Sequence, residues 1–214
     1  MKKPIHSYDA YHLAEFYKRK SAGRYNIPKI KRENCIPPRL IDFEQALNSK
    51  DYEAGVHFYI DDFRFERIWK SPNRYLPILK NFSCVCSPDF SLYRDMPMAI
   101  QIWNVYRSRL LGQIMQRAKI HVIPTVSWAD KNTFSFCFSG IERGSDITIS
   151  TVGISHSKKA QSIFYDGCRK ICKLIQPKTI LLYGNLPDFD FGQIKIIQYE
   201  YSRYNWKKQK NDIY

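Results

Sequence analysis

The chain has 214 residues, a formal charge of +14 and a hydrophobic share of 44%, which suits one ordinary domain whose core needs no disulfide or metal staple. No apolar run approaches the roughly 20 residues that span a bilayer, and Met1-Lys2-Lys3-Pro4-Ile5-His6 has no apolar stretch behind its lysines, so neither a membrane span nor a secretory signal is expected. A soluble, cytoplasmic protein follows, with Cys35, Cys84, Cys86, Cys137, Cys168 and Cys172 expected as reduced thiols.

Residues 1–50 hold eleven Lys/Arg against five Asp/Glu and read as a basic N-terminal arm. A short helix is expected at 8–20. Gly23 and Pro28, then Pro37-Pro38, interrupt anything longer, and residues 43–47 add a turn of helix.

From 51 to 200 the texture is that of an α/β core. A β-rich run at 56–60 ends at Asp61-Asp62, and helix-like spacing over 65–79 is broken by Pro72 and Pro77. A second run at 82–86 ends at Pro88-Asp89. Residues 97–118 form the clearest helix, with Ile100, Trp103, Leu110, Leu111, Ile114 and Met115 as an apolar stripe and Asp95 at or near its N-cap. Strands are expected at 120–126, 147–152, 179–183 and 194–200, a hairpin-like piece at 133–140 and a helix at 157–175. Alternating strands and helices imply parallel strands. A full eight-unit barrel needs about 250 residues, so the expected fold is an abbreviated barrel or an open, mainly parallel sheet with flanking helices.

Residues 201–214 hold four Lys/Arg against one Asp. This basic, aromatic tail includes Arg203, Trp206, Lys207 and Lys208, a mixture of rings and cations that suits a single nucleic-acid strand. Basic segments at both ends make nucleic acid, DNA or RNA, the expected partner and a membrane an unexpected one. The plainer reading is a solvated surface.

Parallel strands gather their C-terminal ends on one rim. That rim carries Asp61, Asp62, Asp89, Trp128, Thr151 and Tyr183, with Asp95, Gln101 and Asn104 at the following helix starts and Arg64 and Arg94 as cations. Three uses are open. Asp61, Asp62 and Asp89 can hold Mg²⁺ or Mn²⁺ for phosphodiester chemistry; two of the acids, with Asp95 among the candidates, can serve as an acid–base pair; or they are structural. For Asp95 the plainer role is a helix cap, and for Asp61-Asp62 it is pairing with Arg64 and Arg67.

His57 and His121 sit within apolar runs and read as packed core histidines. Ser155-His156-Ser157-Lys158-Lys159 opens a helix and offers an anion cradle around Lys158 and Lys159, although capping alone explains its serines. Cys84, Cys86, Cys168 and Cys172 lack the usual zinc spacing.

The segments Tyr59-Ile60-Asp61-Asp62-Phe63-Arg64, Ser87-Pro88-Asp89-Phe90-Ser91-Leu92-Tyr93-Arg94-Asp95 and Gln101-Ile102-Trp103-Asn104 resemble a domain-of-unknown-function family of phages and mobile elements. Ile123-Pro124-Thr125-Val126-Ser127-Trp128 and Ser150-Thr151-Val152-Gly153 share the likeness, which covers roughly residues 55–185. The resemblance implies a protein of a mobile genome working in the host cytoplasm and carries no catalytic role with it.

Three functions compete. The first is a nucleic-acid-associated protein with metal-dependent phosphodiester chemistry at the rim acids. The second is an enzyme acting on a nucleotide, nucleoside or sugar, with Tyr183 and Trp128 holding a ring and Asp89 as acid or base. The third is an interaction protein that blocks a host factor. A deep pocket with a perturbed carboxylate favours the second, a shallow positive groove the first, and a filled rim the third.

Overall fold

The computed structural model describes residues 9–154 and 157–201. Its strands are short, and their order follows the chain. A small ribbon comes first, β1 (Ser21–Ala22) antiparallel to β2 (Ile27–Pro28). A 4-stranded parallel sheet follows, built of β3 (Leu40–Asp42), β4 (Gly55–His57), β5 (Cys84–Cys86) and β6 (Val122–Ile123); β7 (Ile147–Ser150), β8 (Thr179–Tyr183) and β9 (Lys195–Tyr199) make a 3-stranded parallel sheet. A parallel bridge between Thr125 and Thr148 joins the two, with Val126 N–H donating to the Thr148 carbonyl and Thr148 N–H to that of Pro124, both at 2.9 Å.

Alternation along each strand decides which side chains face where. Val56, Val85 and Val122 point outward into a core shared with Phe65, Ile68, Leu110, Leu111 and Met115. Ile147, Ile149, Ile180 and Leu182 meet Phe164, Cys168 and Ile171 in a second core. The opposite faces converge on an inner cluster of Cys84, Ile123, Leu181, Tyr183 and Tyr199. Tyr183 of β8 lies against His57 of β4, ring centroids 4.4 Å apart, so the sheet curls until distant strands meet across its interior. Among the described residues β3 and β9 share no backbone pairing. The result is a curled, unclosed, parallel sheet with helices outside it.

The helices are α1 (Phe43–Ala46), α2 (Asp62–Lys70), α3 (Pro72–Leu79), α4 (Met98–Arg117) and α5 (Lys158–Leu174). Asp42 caps α1 in a reciprocal box with Gln45, and Ser157 caps α5 through Ala160 N–H at 3.1 Å. The segment 65–79 divides at Ser71 because Pro72 brings no donor and restricts the residue before it. α4 has Pro97 at its N-cap with no side-chain cap, so Asp95 does not cap it. Its middle is buried all round, Ser108, Arg109 and Gln113 included, because the β1–β2 ribbon and both outer cores enclose it.

Other local expectations also change. Residues 9–20 form turns, closed by the Asp9 carboxylate on Leu13 and Ala14 N–H at 2.7 and 2.8 Å, with one 3-10 turn at Lys18–Lys20. The segment 133–140 is a 3-10 helix, Lys131–Ser135, and turns. Ile27, Ile30 and Phe43 are fully buried, so the N-terminal segment is anchored on the core at these positions. All six cysteines are free thiols. No helix among the described residues is long and apolar enough to cross a membrane.

Candidate functional site

The C-terminal ends of the strands surround a cavity of about 1290 Å³. Asp61, Asp89, Arg64, Arg94, Trp128 and Tyr183 all line it. Asp62, Gln101, Asn104, Thr151 and Lys158 do not. Asp95 and Lys159 line a neighbouring hollow of about 700 Å³ that shares Tyr93, Arg94 and Ile163 with the first. Arg203, Trp206, Lys207, Lys208 and His156 lie outside the described residues.

The residues beside the cavity hold its wall. Asp62, in the first turn of α2, accepts from Ser91 N–H at 3.2 and 3.1 Å and from the Ser91 hydroxyl at 2.8 Å. Asn104 donates to the Ser91 carbonyl at 2.7 Å and Gln101 to that of Met96 at 2.8 Å. Arg107 donates to Asn104 and to Glu66, each at 2.8 Å. Together α2 and α4 clamp the loop that carries Asp89. Thr151 donates to the Asn185 carbonyl at 2.8 Å, and glycine is needed at Gly184, whose φ is +112° and whose Cβ would collide with the Thr151 hydroxyl.

Asp89 is the chemically unusual group. It is partly reachable through the cavity, yet its Oδ1 is buried without a hydrogen-bond partner among the described residues. Burial pushes its carboxyl up to about 7; the Asp62 carboxylate adds to the rise, and the Ser127 hydroxyl and Arg109 oppose it. Arg109 itself is buried and, among the described residues, has no carboxylate in hydrogen-bond contact. It donates to the carbonyls of Thr125 at 2.8 Å, Cys137 at 3.1 Å and Ser139 at 3.3 Å, and burial lowers its pKa to about 10.

His57 forms part of the floor, 3% exposed, and burial lowers its pKa to about 3. Its Nδ1 accepts from Tyr59 N–H at 3.1 Å, which leaves the proton of the neutral ring on Nε2. Tyr59 stacks on Tyr183 at 5.1 Å and 15°. The Thr148 hydroxyl donates to the Leu181 carbonyl at 2.9 Å, so Tyr59 is the donor in its 2.8 Å bond to Thr148. Trp128 lies on α5, stacked on Phe164 at 5.4 Å and donating to the Ile163 carbonyl at 3.1 Å.

The cavity is not a cationic groove. Asp42, Glu44, Asp61, Asp89 and Glu200 line it against Arg64 and Arg94, and Glu44 pairs with both Arg64 and Arg67. Among the described residues no three His, Cys, Asp or Glu side chains stand together as a metal-holding group. Cys84 belongs to the inner cluster and Cys168 to an outer core.

Sequence reasoning passed over His57 and Ser127 as cavity residues. The signal for His57 was present: it alternates with Val56 and Phe58, whose side chains pack outside, so it points inward.

Residues 19–200 match the family described as Domain of unknown function (DUF4417). The Gene 1 protein of Mycobacterium phage D29 is 38% identical over 200 residues, covering 90% of this chain and 72% of the relative. The Gene 1 protein of Mycobacterium phage L5 is 40% identical over 197 residues, covering 89% of this chain and 83% of the relative. No solved structure matches the chain. The chain belongs to the Domain of unknown function (DUF4417) family and has relatives encoded by phages.

Proposed function

We propose that the cavity is the active site of an enzyme acting on a small polar molecule with a ring, a nucleotide, nucleoside or sugar, and that Asp89 is its general acid–base. The observation that carries this reading is the Asp89 carboxyl, set in the cavity with one oxygen unpartnered and its pKa near neutrality. A carboxyl in that range can both give and take a proton at working pH. Tyr183, Tyr201 and Trp128 supply ring faces. His57, neutral with its proton on Nε2, offers a donor to a substrate oxygen without bringing charge.

A second reading keeps Mg²⁺ or Mn²⁺. Asp61 and Asp89 share the cavity wall, and these ions accept one or two carboxylates together with substrate phosphates. Asp62 is the weaker member of that set because Ser91 engages both of its oxygens. An open rim, lined by polar groups, supports an enzyme over the interaction-protein reading.

The test is a thermal-shift screen of nucleotides, nucleosides and sugar phosphates, with and without MgCl₂, followed by chromatography of incubated hits. A ring-bearing ligand should raise the Tm of the wild type and of Asp89→Asn, while only the wild type turns it over. Full turnover by Asp89→Asn would overturn the acid–base role. Binding that requires the divalent ion would favour the second reading.

A further inference from the structure

Residues 16–32 contain seven cations, the run Lys18-Arg19-Lys20, Arg24, Lys29 and Lys31-Arg32, and no Asp or Glu. All seven are exposed. None forms a salt bridge among the described residues. Of the nearby acids, Glu15 is engaged by Arg117 and Glu33 by His121 and Gln116, while Glu142 accepts from the backbone N–H of Arg32 and pairs with none of the seven side chains among the described residues.

The segment is also fixed in place. Gln113 donates to the carbonyls of Lys20 and Lys29 at 3.0 and 3.1 Å. Gln116 donates to the Lys31 carbonyl at 2.9 Å and accepts from its N–H at 2.8 Å. Ile27 and Ile30 are fully buried beneath. Ile30 packs where Gly112 of α4 leaves no room for a Cβ.

Folding gains nothing from gathering like charges, which repel one another. A rigid array of unpaired cations is therefore suited to an external polyanion. The segment's isoleucines are buried, leaving no aliphatic wedge of the kind that enters a lipid surface. Its accessible rings accompany cations instead: Arg24 lies over Tyr25 at 4.7 Å, and Lys20 over Tyr17 at 5.6 Å. None of the seven lines either cavity.

We propose that the β1–β2 ribbon and its flanks form a binding surface for the phosphate backbone of nucleic acid, separate from the cavity and independent of what the cavity does. Contacts of this kind release condensed counterions, so seven of them give a salt slope of about −6 on duplex DNA.

The test is fluorescence anisotropy with a labelled 20-base-pair duplex and its single strand, from 50 to 200 mM KCl, on the full chain. The ribbon triple Lys29→Glu/Lys31→Glu/Arg32→Glu is compared with a control triple that removes the same charge elsewhere, Lys170→Glu/Lys173→Glu/Lys195→Glu. Circular dichroism and melting establish that both are folded, and Lys18→Glu/Arg19→Glu/Lys20→Glu is a second ribbon variant.

The expected result is nucleic-acid binding by the wild type, weakened at least tenfold more by either ribbon triple than by the control, with a shallower salt slope. Equal losses in ribbon and control triples would assign binding to net charge and overturn the proposal. So would absence of binding at 50 mM KCl, or capture by phosphatidylserine vesicles in its place.

Discussion

The Trp128 indole fills the space that a Cβ on Gly167 would need: such an atom would collide with Cε2, Cζ2 and Nε1. Bare helix backbone is what lets the ring lie flat on α5 at the cavity wall. Alanine in a helix interior is ordinarily favoured over glycine by about 1 kcal/mol. Gly167→Ala should instead lower stability by about 1–3 kcal/mol through overpacking in urea unfolding and shift the Trp128 indole N–H signal. A stabilised variant with an unmoved signal would refute the contact.

Asp89 gives stability a pH signature. Its folded pKa, about 7, lies above the ordinary aspartate value of 3.8, so the native state holds its proton longer than the unfolded chain does. The stability tied to that proton is fully present below about pH 4 and is lost as pH rises toward 7. Asp89→Asn should therefore match the wild type near pH 4 and exceed it at pH 8, by no more than about 4 kcal/mol. Denaturant titrations at the two pH values check this.

His57 behaves in the opposite sense. Its folded pKa, lowered to about 3 from 6.5, makes the unfolded chain the better proton acceptor, so native stability falls as pH drops from about 6.5 toward 3. Nitrogen-15 spectra should show a neutral ring protonated at Nε2 down to pH 5. His57→Gln should blunt the acid-dependent part of unfolding.

Arg109 satisfies three carbonyls at once. Arg109→Met leaves them unpaired in the interior, at a cost of about 3 kcal/mol or more. It also removes a charge that lowers the Asp89 pKa, so titration of the Asp89 carboxyl, followed by carbon-13 shifts, should move upward. Arg109→Lys should retain part of the electrostatic effect and lose the fork of hydrogen bonds.

Asp62→Ala should free the loop after β5. Removing the carboxylate that accepts from Ser91 costs about 1.5–3 kcal/mol, and amide exchange should accelerate at Ser91 and its neighbours. If residues 87–95 exchange as slowly as before, Asp62 does not hold that loop.

Much of this architecture can be read from alternation. Runs such as Val56-His57-Phe58 and Thr179-Ile180-Leu181-Leu182 mark strands, and parallel order follows from the helical segments between them. That reasoning places Asp61, Asp89, Trp128 and Tyr183 at strand ends, where the cavity lies. It is silent on β3, whose three residues follow Pro37-Pro38 too closely to show a period. It misjudges Asp95 because Pro97, two residues later, takes the N-cap itself. The burial of Arg109 and the carboxyl shift at Asp89 depend on elements far apart in the chain, which no local pattern encodes.

Side chains, not backbone, join β3 to β9 among the described residues. There the Tyr199 hydroxyl reaches the Pro37 carbonyl at 2.7 Å, and Leu40 and Ile197 pack on one cluster, but no ladder crosses. Glu200 and Tyr201, just past β9, stand at the cavity's edge. Among the described residues the curl of the sheet is therefore fastened here by side chains, so loosening them would widen the seam while every ladder bond stays intact.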